Sequence, residues 1–265
     1  MTNLDPSVAK GHYASKQLSC KARLIAWSHR RRFQTSLALA SKCSGKRVLD
    51  YGAGDGTFVA MLGADSMNAR TTVGAELCAS LVEDCRARLG DRPGLSFVLI
   101  SDLDLPEHAG AYDVVICMEV LEHVVDVEPL LERFVRLLAP SGKLIVSVPV
   151  EMGLALLVKQ IVRRIAGWRR LGDYPGTASY SLRELWAGLF AGQRQHIPRP
   201  VYTAQDGSQF HDHKGFNWKL LRGALARRFE IEQTLTSPLP WLPPQMATQV
   251  WFVASKNRRT LHSAR

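Results

Sequence analysis

Three glycines on alternate positions, Gly52, Gly54 and Gly56, follow an apolar run that ends in Asp50 and Tyr51. They lie within residues 46–58, KRVLDYGAGDGTF, which read as a short strand, a glycine turn and the apolar start of a helix. Glycine at such a turn permits backbone angles closed to other residues and lets a ligand approach the main chain with no Cβ in the way. The turn is therefore a ligand loop, and a nucleotide-like ligand suits it. Its G-x-G-x-G spacing differs from the G-x-G-x-x-G of dinucleotide sites, which counts against a nicotinamide dehydrogenase.

Around this loop, strand and helix patterns alternate. Residues 46–51 predict the first strand, 57–62 the start of a helix, and 70–75 a second strand ending at Glu76. Residues 77–89 predict an amphipathic helix, 95–100 a third strand, 112–118 a central fourth strand, 127–138 a helix, 140–142 a turn, and 144–148 a fifth strand stopped by Pro149. Such alternation predicts an α/β fold with a parallel, doubly wound sheet. Ligands of such sheets sit beyond the carboxyl ends of the strands, where Gly52, Glu76, Asp102 and Glu119 all fall. Glu76, about 25 residues after Gly52, is placed to accept both hydroxyls of a ribose.

The flanks differ from this core. Residues 1–45 predict a helical cap, helical from about 15 to 40, with His29, Arg30, Arg31 and Arg32 at its middle. Residues 151–212 show no clear strand and predict a helical and loop insert on the substrate side. Residues 213–257 complete the fold with a helix over 216–229 and strands over 229–236 and 246–255, and residues 258–265 form a basic tail. The segment KQIVRRIAGWRR, residues 159–170, interleaves Ile161, Val162, Ile165 and Trp168 with basic residues. That is the pattern of a helix lying on an anionic membrane surface, and equally of a helix packed on its own domain.

Charge follows the same division. Residues 1–47 hold ten Lys and Arg against one acid, 48–150 hold seven against sixteen, and 151–265 hold seventeen against seven. Basic flanks around an acidic centre suit an anionic partner such as RNA, a lipid headgroup or a phosphorylated substrate, or a merely solvated surface. The five cysteines are scattered without a C-x-x-C pair, which fits a reducing compartment. With no leader pattern at the start and no apolar run of roughly 20 residues, a cytoplasmic location is expected, with peripheral contact to the inner membrane surface open.

Two clusters carry chemistry. Glu119, Glu122 and His123 stand at i, i+3 and i+4, so a helical turn beginning at Glu119 would project all three from one face. His211, Asp212 and His213 form the second. Carboxylates with imidazoles suit Mg²⁺ or Mn²⁺, and a metal there would lower the pKa of a substrate hydroxyl. The bland reading makes them helix-capping acids and loop histidines.

The acidic strand end and the glycine spacing resemble motif I of class I S-adenosylmethionine-dependent methyltransferases. The Glu119–His123 run is similar to the E-x-x-E-H segment of ubiquinone-biosynthesis O-methyltransferases and of small-RNA 3′-terminal 2′-O-methyltransferases. Asp212-His213-Lys214-Gly215-Phe216-Asn217-Trp218 resembles the D-H-x-F-E-W segment of the latter, with Gly215 inserted and Asn217 in place of the acid. The resemblance implies a Rossmann-like, mostly parallel seven-stranded sheet with an antiparallel last strand and a helical insert after strand 5. It implies S-adenosylmethionine as cofactor, held by Asp50, Tyr51, Gly52, Gly54, Gly56, Glu76, Leu77, Asp102, Leu103 and Met118, with Asp102 at the adenine amino group and Tyr13 or Arg32 within reach of the methionine carboxylate.

By the same resemblance, Glu119 and His123 are the catalytic candidates. Glu119, Glu122, His123 and His213 are the metal ligands, with His211 a weaker fifth. Residues 147–151, SVPVE, depart from the S-T-P-N pattern of both families, and no N-P-P-Y signature of base N-methyltransferases is present. An O-methyl acceptor follows as the first expectation, on a small molecule, lipid or saccharide. RNA is the second acceptor, and a non-catalytic cofactor-binding module the reading from another class.

Overall fold

The computed structural model describes residues 8, 10–18, 23–43, 47–63, 71–90, 92–168, 180–204 and 207–257. Lys46, Arg70, Arg169, Arg170, Gly172, Pro175, Gly176 and residues 258–265 lie outside them. Helix α1 spans Arg23–Ser41, β1 Arg47–Tyr51, α2 Thr57–Gly63, β2 Thr71–Glu76, α3 Ala79–Leu89 and β3 Leu95–Leu99. Then follow β4 (Tyr112–Met118), α4 (Val127–Leu137), β5 (Leu138–Pro149), α5 (Gly153–Trp168), α6 (Leu182–Leu189), β6 (Val201–Thr203), β7 (Gln209–His211), α7 (Trp218–Arg228), β8 (Phe229–Ser237) and β9 (Gln249–Lys256).

Seven strands hydrogen-bond in the order β3-β2-β1-β4-β5-β9-β8. β1 pairs in parallel with both β2 and β4, β2 pairs in parallel with β3, and the last strands run antiparallel. This is the doubly wound, mostly parallel sheet expected, with the helical insert after β5. Two compact units divide the chain: residues 1–118, 132–146 and 253–265 form one, and residues 119–131 and 147–252 the other.

In the first unit, Val114, Val115, Ile116 and Cys117 of β4 are wholly buried, as a central parallel strand covered on both faces must be. The order of strands reverses between β1 and β4, which makes the carboxyl end of β1 the crevice where such sheets take ligands. The turn expected over 140–142 is absorbed into β5. A Cβ on Gly142 would lie 2.8 Å from the Tyr112 carbonyl oxygen, so the glycine serves close approach to the first residue of β4 rather than a turn.

In the second unit, α5 and α6 touch where a Cβ on Gly188 would come within 2.7 Å of Leu156. Ser181 opens α6 with a reciprocal cap: its Oγ accepts from Glu184 N at 3.3 Å, and Glu184 accepts from Ser181 N at 2.7 Å. The stretch expected to lack strands holds one short hairpin. β6 and β7 pair antiparallel, with Tyr202 opposite Phe210 and their rings 5.7 Å apart. Strands of three residues flanked by Pro198 and Pro200 leave too little alternation to register as a pattern. Asn217 caps α7 by accepting from Lys219 N at 3.0 Å.

Candidate active site

β1 passes into the glycine loop by hooking onto β2: Gly52 N and Ala53 N both donate to Ala75 O, at 2.8 and 3.0 Å. Gly52, Gly54 and Gly56 all have positive φ, at 79°, 56° and 72°. Gly56 is further constrained by packing, since a Cβ there would lie 2.9 Å from Leu89 and Phe97, whereas the space beside Gly54 is open. Glu76 ties the loop to the end of β2, its Oε2 accepting from Gly54 N at 2.8 Å and its Oε1 from Leu77 N at 2.8 Å. Leu77 beside it is exposed. Asp50 is buried, and burial, then the nearby Glu76 charge, push its carboxyl up to about 8.

Asp102 caps the 3₁₀ turn after β3, accepting from Leu99 N at 3.1 Å, while Leu103 is wholly buried and Met118 ends β4. The Tyr51 ring packs edge-on to Phe134 at 5.1 Å and its hydroxyl accepts from Arg133 at 3.5 Å. Asp55, which the sequence reading passed over, is the most connected side chain of the loop. Its Oδ2 accepts from Tyr13 N at 2.7 Å and Ala14 N at 3.2 Å, and its Oδ1 from Thr57 N at 3.1 Å. Tyr13 in turn lies 5.6 Å from Phe33, and its hydroxyl meets His29 Nδ1 at 2.6 Å and the buried Arg32 guanidinium.

In the second unit, Glu119 does not open a helical turn. It adopts φ of +56°, the left-handed region, and its amide donates to Ser147 O at 2.9 Å. Its carboxylate accepts from Ser147 Oγ at 3.3 Å. Its side chain therefore does not share a helical face with Glu122 and His123. The cluster that does assemble is Glu122, His123 and His213, with one ligand atom from each lying within 4.8 Å of the others. The two imidazoles stand edge to face, 4.8 Å apart. Glu122 is fully buried, and its Oε1 lies 3.8 Å from His123 Nε2.

His123 Nδ1 lies 2.8 Å from His211 O, and a carbonyl acceptor means that Nδ1 carries the proton. Nε2 is then the lone-pair nitrogen. Burial, then the neighbouring His123, push the His213 pKa down, and its Nδ1 is buried with no hydrogen-bond partner among the described residues. His211 itself gives Nδ1 to Pro200 O at 2.8 Å, so the structure makes it a wall of the cluster rather than a member.

Arg199, also missed in the sequence, holds these segments together. Its guanidinium donates to Glu122 O, to Asp212 O at 2.7 Å and to Lys214 O at 3.3 Å, while lying over the Phe216 ring. Gly215, with φ of +72°, permits the turn after His213. Asn217 donates to Gly192 O and Gln195 O, both at 3.0 Å, which is why an amide rather than an acid fits there. Beyond this wall lies a cavity of about 440 Å³ lined by Leu121, Val124, Phe216, Leu221, Arg199 and His211, among others.

The profile of the family described as Methyltransferase domain matches residues 26–217. The chain belongs to this family. Within it, the fold is that of a class I S-adenosylmethionine-dependent methyltransferase, as the loop motif implied. The chain is 34% identical over 131 residues to a ubiquinone biosynthesis O-methyltransferase of Xanthomonas oryzae pv. oryzae, covering 46% of this chain and 52% of that protein. It thus spans about half the length of the curated relatives it matches. The PH0226 protein from Pyrococcus horikoshii OT3 shares the fold at a TM-score of 0.55 and 14% identity, over 96% of this chain and 100% of the other. A TehB-like methyltransferase from Corynebacterium glutamicum does so at 0.51 and 15%, over 85% and 88%. No helix among the described residues of this methyltransferase is long and apolar enough to cross a membrane.

Proposed function

We propose that this methyltransferase moves the methyl group of S-adenosylmethionine to a hydroxyl group of a small-molecule acceptor. In that reaction the hydroxyl oxygen bonds to the methyl carbon, the carbon–sulfur bond breaks, S-adenosylhomocysteine leaves, and the hydroxyl proton goes to His123 Nε2. The observation that carries the reading is the His123 imidazole, whose Nδ1 bond to His211 O leaves the Nε2 lone pair free beside Glu122. Asp50, Gly52, Gly54, Gly56, Glu76 and Asp102 are the proposed cofactor residues, with Tyr51, Leu77, Leu103 and Met118 shaping the same site. Glu76 accepts from Gly54 N in the loop with one oxygen and from Leu77 N with the other, and a ribose would compete for them.

The donor set fits a divalent cation: one carboxylate, two imidazoles, and a buried His213 nitrogen without a partner among the described residues. Glu122, His123 and His213 would hold Mg²⁺ or Mn²⁺, whose charge lowers the pKa of a hydroxyl; His123 Nε2 would then be a ligand, and the hydroxyl proton would pass to solvent instead. Glu119 stays outside that set, its carboxylate turned to Ser147.

Similarity to O-methyltransferases supports a hydroxyl acceptor on a small molecule. Transfer of labelled methyl from S-adenosylmethionine to a panel of phenols, catechols, hydroxylated lipids, sugars and short RNAs, with and without EDTA, tests it. Alkali-stable O-methyl product on a small acceptor supports the reading, and product on nitrogen or on RNA alone overturns it. EDTA-insensitive turnover removes the metal. Absence of S-adenosylhomocysteine binding in calorimetry removes the cofactor assignment.

A further inference from the structure

We propose that the cavity behind His211 is a second small-molecule site, which takes an uncharged, mostly apolar ligand carrying one hydroxyl. All of its described walls belong to the second unit, and Glu122, His123 and His213 are not among them. It is therefore separate from the cluster that holds the candidate base. At about 440 Å³ it has the size of a ligand pocket.

The apolar walls come from the segment after β4 and from α7 with the residues before it. Leu121, Ile197, Phe216, Leu221 and Ala224 are buried there, a surface that favours an apolar body over water. The charged groups of the lining are already matched. Glu128 accepts from Arg227 and from its neighbour Arg228, and the Arg199 guanidinium donates to the carbonyls of Glu122, Asp212 and Lys214. An anion would have to draw an arginine from these acceptors, and a cation would have to draw Glu128 from two arginines. The pocket thus selects a neutral ligand.

Most of its polar groups are occupied as well. Asn217 donates to Gly192 O and Gln195 O and accepts from Lys219 N, and Gly215 N donates to Tyr180 Oη at 3.0 Å. His196 is exposed to water. His211 differs, being only 9% exposed, with its backbone N and O bonded to His123 and its Nδ1 to Pro200 O. A carbonyl at Nδ1 means that this nitrogen carries the proton, which leaves Nε2 an acceptor with no partner among the described residues. A hydroxyl on the ligand is the donor that satisfies it.

Titration of the full chain at pH 7 with 4-ethylphenol, followed through the imidazole nitrogen resonances, tests this site without any assumption about the methyl acceptor. Saturable binding that shifts His211 Nε2 is expected. 4-Ethylanisole, which has the same body and no hydrogen to donate, should bind about fivefold more weakly, and the 4-ethylbenzoate anion more weakly than the phenol. Val125→Trp, at an exposed position of the lining, should close the cavity and weaken phenol binding about tenfold. In His211→Phe the preference for phenol over ether should vanish. Unchanged thermal midpoints show that both variants fold, and Val125→Trp with the nitrogen shift suffices should His211→Phe not fold. Absence of saturable binding, equal affinity for phenol and ether in the unaltered chain, tighter binding of the carboxylate, or binding that Val125→Trp leaves unchanged overturns the proposal. So does a shift confined to His123 Nε2, which would place the phenol at the proposed transfer site.

Discussion

His123 and the backbone of His211 are joined twice: His211 N donates to His123 O at 2.9 Å, and His123 Nδ1 donates to His211 O at 2.8 Å. The pair locks both the position and the tautomer of an imidazole whose Nε2 is left to act. A residue 88 positions away in sequence thus decides which nitrogen of His123 is a base.

The consequence for activity is direct. His123→Ala should lower kcat for the best acceptor by about 10²–10⁴, the usual contribution of a positioned general base, with calorimetric affinity for S-adenosylhomocysteine unchanged. His123→Gln should be no better, since an amide cannot take up the proton. A variant retaining wild-type kcat would remove His123 from the chemistry.

Asp50 makes the fold pH-dependent in an unusual direction. Unfolded, its carboxyl ionises near 3.8, and in the native state burial holds the proton until about pH 8. The native state therefore binds more protons than the unfolded state between these values, and the contribution of Asp50 to stability falls as pH rises from about 4 to about 8. Thermal midpoints of the ligand-free protein should decline over that window. In Asp50→Asn the decline should flatten, because an amide does not titrate; an identical slope in both proteins would show that Asp50 ionises normally.

How much of this was legible in the sequence depends on whether the determinant is local. Tyr112–Met118 was readable because the apolar, β-branched run Val114–Met118, stopped by Glu119, is what a buried parallel strand requires. The loop was readable because Gly52, Gly54 and Gly56 each need positive φ, a demand few residues but glycine meet. Glu119 was not, since nothing in its side chain announces a left-handed backbone, and a spacing argument that assumes a helix fails when the first residue is not helical. Arg199 was invisible for a different reason. Its partners Glu122 and Asp212 lie 77 and 13 positions away, and a single arginine between two prolines carries no periodic signal.

Asp55 fastens the N-terminal segment to the glycine loop through two amides, and its other oxygen caps the start of α2. Asp55→Ala strands Tyr13 N, Ala14 N and Thr57 N without their acceptor and should cost about 1–3 kcal/mol. Hydrogen exchange at Tyr13 and Ala14 should accelerate well beyond the global change. Protection that falls uniformly across the chain would mean that Asp55 supports the loop alone.

Arg199 is the test of whether the candidate active site is held as one piece. One guanidinium accounts for donors to the carbonyls of Glu122, Asp212 and Lys214, and burial lowers its pKa to about 10. Lysine at this position keeps the charge but has no planar fork to reach three carbonyls at once. Arg199→Lys should therefore lower kcat by about tenfold or more through displacement of His123 and His213, at a stability cost of about 1–3 kcal/mol from carbonyls left without donors. The His123 and His213 imidazole resonances should shift together in the NMR spectrum. If they stay in place while only the thermal midpoint drops, Arg199 supports the fold and not the geometry of the histidines.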